Sequence, residues 1–218
     1  MAKKRFAVLL SGCGFQDGAE IYETVLTLLR LDQLNIDYQC IAPRIPQMHV
    51  IDHSKSEEMP GDRDVFTEAS RLARGELIDL ADANPDDYDA VLLPGGFGVA
   101  KNFSTFATQG ADCEVNPKIV AFVQAFHQAD KPIGLMCIAP ALTAKLVAPG
   151  ALCTIGQDAG VEGALSSMGA LHKSAAVDEI VVDKTHKLVT TPAYMLAQRL
   201  TEAQAGIFKL VDKVVEMA

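Results

Sequence analysis

The sequence contains no tryptophan, and aromatic residues make up only 6% of its 218 positions. Its core must therefore be built mainly from Val, Ile, Leu and Ala, which the 49% content of hydrophobic residues permits. No apolar run approaches the roughly 20 residues of a membrane span, so we expect no membrane partner. Positive charge is scarce, with 19 Lys and Arg against 28 Asp and Glu and a formal net charge of -9. Nucleic acid is excluded as an expected partner, because its phosphates would be repelled.

Signals for metal binding and secretion are also absent from the sequence. The five cysteines are an odd number with wide spacing and form no C-x-x-C pair, so we expect no structural zinc and no other metal. The basic start is followed by an apolar run of only five residues, 6–10, which is too short for a secretory signal. We therefore expect a cytoplasmic protein with reduced thiols.

Short apolar runs alternate with segments of helical length along the whole chain. This alternation predicts βαβ units, a mainly parallel central sheet and a single α/β domain over residues 1–218. A small hairpin or loop is predicted at 48–61. Strands are predicted at 5–10, 37–43, 88–96, 132–137, 152–156, 179–183 and 187–191, and helices at 19–35, 63–75, 116–131, 138–147 and 192–217. The periodicity of the first helix predicts a buried face made of Ile21, Val25, Leu28 and Leu29.

Three turns marked by glycine or cysteine follow predicted strands: "SGCG", "PGGFG" and the turn at Cys137. In parallel sheets, functional groups gather in the loops at the carboxyl ends of strands. Cys137 is either a buried core thiol or a nucleophile on a sharp strand-to-helix turn. Gly134 and Ala139 fit the second interpretation because such turns need small neighbours, and Pro140 fits the first turn of a helix. That helix N-terminus would favour the thiolate of Cys137.

The glycine turn in "LPGGFG" favours the nucleophile. The backbone N–H groups of Gly96 and Ile138 would together form an oxyanion hole beside Cys137. The "GGFG" spacing lacks the dinucleotide fingerprint, so no nucleotide cofactor is expected.

The segments "YDAVLLPGGFGVAKN", "KPIGLMCIAPAL" and "AEIYETVL" resemble the PfpI protease and Parkinson-associated deglycase superfamily. The longer segments "LLSGCGFQDGAEIYETVLTLL", "MCIAPAL" and "VTTPAYMLAQ" are similar to its ElbB (enhancing lycopene biosynthesis) subgroup over nearly the whole chain. The resemblance implies a flavodoxin-like three-layer sandwich related to class I glutamine amidotransferases. It also implies an acidic residue on the first helix that hydrogen-bonds the cysteine. Alignment of "ETVL" places that residue at Glu23, with Glu20 one turn earlier as the other candidate.

Two further residues are candidates for the pocket. Cys13, in "SGCG", would line it or act as a resolving thiol, and the alternative is a passive turn residue. Tyr194, in "TTPAYM", would reach the pocket or serve packing. Of the other cysteines, Cys40 and Cys153 are predicted in the core and Cys113 in an exposed loop.

Some members of the resembling subgroup are glyoxalases, which implies a cofactor-independent conversion of glyoxal or a similar small 2-oxoaldehyde to a 2-hydroxy acid. Ile138 stands where many members of the superfamily have a histidine, and no histidine of this chain lies in a matching motif, so a Cys-His triad is not expected. The alternatives are a redox sensor using Cys137 as an oxidisable thiol and, third, an amidase or deglycase. The expected partners are a small aldehyde and a second copy of the chain in a homodimer.

Overall fold

The computed structural model describes residues 3–218, and a seven-stranded sheet forms its centre. The strands, numbered along the chain, are β1 (Arg5–Leu9), β2 (Asp37–Ala42), β3 (Ile51–Asp52), β4 (Glu57–Glu58), β5 (Leu77–Asp79), β6 (Ala90–Leu93), β7 (Ile133–Met136), β8 (Leu152–Cys153), β9 (Leu171–His172), β10 (Val181–Asp183) and β11 (Leu188–Thr191). The α-helices are α1 (Ile21–Gln33), α2 (Val65–Leu72), α3 (Phe97–Lys101), α4 (Phe106–Gln109), α5 (Pro117–Gln128), α6 (Thr143–Leu146), α7 (Ala159–Ser167) and α8 (Leu200–Met217).

The central sheet has the strand order β10-β11-β7-β6-β1-β2-β5. All neighbouring pairs are parallel except β10 with β11 at one edge. Strand β2 lies on one side of β1, and β6 lies on the other side. Such a reversal of strand order opens a crevice at the carboxyl ends of the strands. The predicted α/β fold with a mainly parallel sheet is confirmed, and this crevice is where the three predicted turns meet.

Helix α8 packs against β7 and β11, and also against α1. Gly134 in β7 allows this packing, because a Cβ there would lie 2.5 Å from Leu92 Cδ2 and 2.9 Å from Leu210 Cδ2. Arg30 of α1 also donates from Nε to Asp212 Oδ1 of α8 over 2.7 Å. The small size of Gly134, which the sequence suggested for the turn at Cys137, therefore serves contact between helix and sheet.

The predicted buried face of α1 is wrong for three of its four residues; only Leu28 is partly buried and packs against the core. Ile21, Val25 and Leu29 are each more than 40% exposed, and with Tyr22 they form an apolar stripe on the outside of the helix. The buried face instead carries Glu23, Thr24, Leu26, Thr27 and Leu31. The two threonines can be buried because their hydroxyl groups find acceptors: Thr24 donates to the carbonyl of Glu20 within the helix, and Thr27 donates to the sulfur of Met136 in β7.

Other predicted elements differ mainly in extent. The hairpin at 48–61 is present as β3 and β4. The segment 152–156 is a strand only at β8, which pairs with β9 outside the central sheet. The last helix begins at Leu200 rather than at 192, because Ala193–Met195 forms a separate 3-10 turn. Strands β5 and β9 and helices α3, α4 and α7 were not predicted. No helix within residues 3–218 is long and apolar enough to cross a membrane.

Candidate active site

Cys137 lies immediately after β7, at the carboxyl end of a central strand. Its backbone is left-handed, with φ +59°, which costs a residue with a side chain about 1–2 kcal/mol. The conformation is held by its N–H, which donates to the Thr191 carbonyl over 3.0 Å, and by the 3-10 turn Ala139–Leu142 that follows. The predicted sharp turn is confirmed. Cys137 at this turn is buried, with only 7% of the residue exposed.

Glu23 projects from the buried face of α1 towards this thiol and is fully buried. Its Oε2 accepts from the backbone N–H of Gly95 over 2.7 Å, and its Oε1 accepts from that of Tyr194 over 3.1 Å. The carboxyl group also hydrogen-bonds the Cys137 side chain. Three different loops thus hold one carboxyl group beside one thiol.

Both members of this pair have a raised pKa. Burial, and next the charge of Glu20, raise the pKa of Glu23 to about 7, although three hydrogen bonds oppose the change. Burial, and next the charge of Glu23, raise the pKa of the Cys137 thiol well above 9.0. The helix N-terminus expected to favour the Cys137 thiolate is thus opposed by burial and by the neighbouring Glu23 carboxylate.

Glu20 immediately precedes α1 and is its N-cap residue. Its Oε2 accepts from the backbone N–H of Glu23 over 2.6 Å, which is an N-terminal helix cap. It also lines the cavity above Cys137, and burial raises its pKa. The structure therefore brings both candidate glutamates to the site, with Glu23 on the thiol and Glu20 at the cavity wall.

The backbone N–H groups of Gly96 and Ile138 lie near the Cys137 sulfur and act to lower the pKa of its thiol, against the larger effect of burial. The glycine pair is required for this arrangement. A Cβ on Gly95 would lie 2.4 Å from Cys137 Cβ, whereas Gly96 has φ +92° and a Cβ there would lie 2.4 Å from the Gly18 carbonyl oxygen. The two predicted oxyanion donors thus lie together beside the Cys137 sulfur.

A cavity of about 410 Å³ opens above Cys137. Its polar side chains are few, and no Lys, Arg or His of the described chain lines it. Glu20, Cys137, Asp158 and Tyr194 supply polar atoms, and the predicted position of Tyr194 beside the pocket is thereby found. The apolar walls come from Phe15, Phe97, Phe106, Ile138, Val161 and Met195.

Several sequence candidates lie outside this cavity. Cys13 is partly exposed and does not line it, because the loop after β1 presents Phe15 instead. Cys40 and Cys153 are buried as predicted, but Cys113 is buried and not exposed, with its thiol donating to the sulfur of Met168. Within residues 3–218 no histidine lines the cavity: His172 lies beside Glu162, and His53 lies beside Asp17 and packs edge-on against the Phe15 ring from outside the lining.

Neither the walls of the cavity nor Gly95, whose N–H supports the carboxyl group of Glu23 beside Cys137, was predicted from the sequence. Gly95 was overlooked although it belongs to the quoted "PGGFG"; two adjacent glycines were the available signal. Phe15, Phe97 and Phe106 lie in loops or at the first residue of short helices, where no periodic pattern marks them. Asp158 caps the unpredicted α7 by accepting from the Val161 N–H.

The chain was compared with models of known protein families. The model of the DJ-1/PfpI family matches residues 13–195, which include every loop of the site. The chain belongs to the DJ-1/PfpI family. This member is 45% identical over 223 residues to the human protein named glutamine amidotransferase-like class 1 domain-containing protein 3, mitochondrial, and the match covers 98% of this chain and 83% of the human one.

Solved structures agree with this membership. The structure from Ehrlichia chaffeensis of an isoprenoid biosynthesis protein with an amidotransferase-like domain matches this DJ-1/PfpI protein with a TM-score of 0.92 and 35% identity, covering 98% of this chain and 99% of that one. The predicted resemblance to the superfamily and to its ElbB subgroup is thereby confirmed. Glyoxalase III from Candida albicans shares the fold, with a TM-score of 0.66 and 13% identity over 98% of this chain and 97% of that one. The cytoplasmic location stays a prediction, since the human relative is named mitochondrial.

Proposed function

We propose that this protein is a cofactor-independent glyoxalase, which converts a 2-oxoaldehyde to a 2-hydroxy acid on Cys137. The observation that carries the proposal is the buried pair of Cys137 and Glu23, in which the carboxyl group has a pKa of about 7. A general acid or base works best when its pKa lies near the working pH, because it can then both accept and return a proton. The name of the Candida albicans neighbour supports this choice only through the shared fold.

The first step uses Glu23 as a base. As the Cys137 sulfur attacks the aldehyde carbon, the thiol proton passes to the Glu23 carboxylate, and the carbonyl oxygen becomes an oxyanion. The N–H groups of Gly96 and Ile138 stabilise that charge. Glu23 then returns the proton to the oxyanion, which gives a neutral hemithioacetal and a free carboxylate.

The second step moves a proton between the two carbons of the substrate. The Glu23 carboxylate removes the proton from the former aldehyde carbon, which forms an enediolate, and delivers it to the neighbouring carbon, while the hydroxyl proton of the first carbon passes to the oxygen of the second. The product is a thioester of a 2-hydroxy acid on Cys137. Water hydrolyses the thioester and restores the thiol, so one aldehyde and one water give one 2-hydroxy acid, which is glycolate when the substrate is glyoxal.

The two alternatives have less support. A redox sensor needs a thiol that ionises easily and meets solvent, because oxidation follows thiolate character and exposure. Cys137 has a raised pKa and is 7% exposed. An amidase or deglycase that releases an amine would have to use Glu23 as the acid for the leaving group, because no histidine of residues 3–218 lines the cavity.

Purified protein incubated with glyoxal tests the proposal by the appearance of glycolate. Cys137→Ala should abolish it, because no hemithioacetal forms. Glu23→Gln should lower kcat about 10²- to 10⁴-fold, which is the usual effect of losing an acid–base group. Cys113→Ala, which removes another buried thiol outside the cavity, is the matched control and should retain turnover. Glycolate formation by Cys137→Ala at the wild-type rate would refute the proposal.

A further inference from the structure

The cavity above Cys137 is larger than glyoxal requires. Its volume of about 410 Å³ lies in the range of about 300–1,000 Å³ that holds ligands of drug size. Glyoxal has only four non-hydrogen atoms and would leave most of this space without contacts. Catalysis on such a small molecule would use the bottom of the cavity and none of its walls.

The walls of the cavity are apolar and mainly aromatic. Phe15 approaches from the loop after β1, Phe97 from the first residue of α3 and Phe106 from the first residue of α4. The rings of Phe15 and Phe97 are each about half exposed in the free protein, at 49% and 50%. Exposed aromatic rings around a concave site are a favourable surface for an apolar ligand, because a bound group would remove both ring and ligand from water.

The charge of the cavity is acidic. Glu20 and Asp158 line it, and Glu23 lies beneath it. Glu20 and Asp158 also cap α1 and α7, so the positive ends of these two helices are already compensated by carboxylates.

No cationic side chain of the described residues lines the cavity. Lys101 Nζ, outside the lining, lies 5.3 Å from the centre of the Phe97 ring and donates to the Gln16 carbonyl oxygen. A carboxylate or phosphate inside the cavity would therefore lose water without a counter-ion on the cavity wall.

We propose that the site selects uncharged 2-oxoaldehydes carrying an apolar chain or ring, with Phe15 and Phe97 as specificity-determining residues. This inference rests on the proposed glyoxalase function. It assigns the reacting aldehyde end to Cys137 and the apolar end to the aromatic walls. Substrates with a terminal carboxylate or phosphate are rejected.

The test measures kcat/KM of the wild-type protein for unbranched 2-oxoaldehydes from 2-oxopropanal to 2-oxohexanal. The Cys137→Ala variant serves as the blank. Intrinsic reactivity is nearly constant along this series, so the change reports contacts with the walls. Each buried methylene should raise kcat/KM about fourfold until the cavity is filled. Replacing the terminal methyl group of 2-oxohexanal by a carboxylate should lower kcat/KM about 10- to 100-fold.

Variants of the two aromatic wall residues test which side chains cause the increase of kcat/KM with chain length. Phe15→Ala and Phe97→Ala should each reduce the ratio of kcat/KM for 2-oxohexanal to that for 2-oxopropanal about 3- to 10-fold. Tyr38→Ala removes a partly exposed ring at the opposite end of the sheet and should leave both constants unchanged.

The outcomes separate the two proposals. Turnover of 2-oxopropanal that depends on Cys137 but does not increase with chain length overturns the substrate class and leaves the glyoxalase function standing. A ratio that Phe15→Ala and Phe97→Ala do not change overturns the assignment of the aromatic walls. Absence of turnover on every 2-oxoaldehyde overturns the glyoxalase function, and the substrate class falls with it.

Discussion

Replacement of Glu23 by glutamine should change the pH dependence of folding stability. The pKa of Glu23 rises from 4.5 to about 7 on folding because the carboxyl group is buried. Each unit corresponds to about 1.4 kcal/mol, so ionised Glu23 costs the native state about 3 kcal/mol. Because the pKa is raised in the folded state, its contribution to stability is fully present below pH 4.5 and is lost as the pH rises through 7.

The glutamine variant has no such titration but has a hydrogen-bonding defect. Both oxygens of Glu23 accept from backbone N–H groups, those of Gly95 and Tyr194. An amide has one oxygen, so one of these buried N–H groups loses its acceptor, at about 1–3 kcal/mol. We therefore expect the variant to be less stable than wild type in mild acid and as stable or more stable at pH 8.

Urea unfolding between pH 5.5 and 8 measures this directly, and it starts above the sequence pI of about 5.0 to limit isoelectric precipitation. Over that interval the stability difference between wild type and Glu23→Gln should move by about 2 kcal/mol in favour of the variant. Glu57→Gln, which changes an exposed glutamate in β4, is the matched control. A stability difference for Glu23→Gln that stays constant with pH would mean that Glu23 does not titrate in this range, and Glu23 would then not be suited to carry the proton.

Three further predictions concern catalysis and assembly. The kcat/KM for 2-oxoaldehydes should fall about tenfold per unit below pH 7, because Glu23 must be ionised to accept the thiol proton; a pH-independent rate between 5.5 and 7 would contradict this. Gly95→Ala should reduce turnover at least about 100-fold, because its Cβ would overlap Cys137 Cβ, while circular dichroism checks that the fold remains. We propose that the apolar stripe of α1, which contains no charged residue, pairs with its copy in the expected homodimer. Val25→Glu should then give a monomer by light scattering, whereas Leu171→Glu, on another exposed apolar residue, should not; an unchanged dimer would exclude the stripe as the interface.

The sheet and the sharp turn at Cys137 could be predicted because their signals are local. Strands such as β1, β6 and β7 are mostly buried apolar runs. The turn at Cys137 is indicated by the proline three residues later. Strand β5 was missed because it is a three-residue edge strand whose side chains are only half buried. Such a strand has too few core contacts to leave an apolar run in the sequence.

The orientation of α1 could not be predicted from periodicity. Its apolar residues Val25 and Leu29 lie outside, while Thr24 and Thr27 lie inside because their hydroxyl groups find partners there. Helix α1 must also present Glu23 to the thiol, which fixes its rotation. The cavity walls were equally beyond a local pattern, since they come from separate loops that meet only after the sheet has formed.

The left-handed backbone at Cys137 separates what folding favours from what chemistry needs. Glycine adopts φ +59° without the penalty of a Cβ atom, so a chain selected for stability alone would place glycine at position 137. The cysteine stands there against that preference, and the cost of about 1–2 kcal/mol is carried by the rest of the fold. A library of variants ranked by thermal stability would accordingly drift away from this residue, whereas one ranked by turnover would retain it. The two rankings disagree most strongly at the position where the proposed reaction takes place.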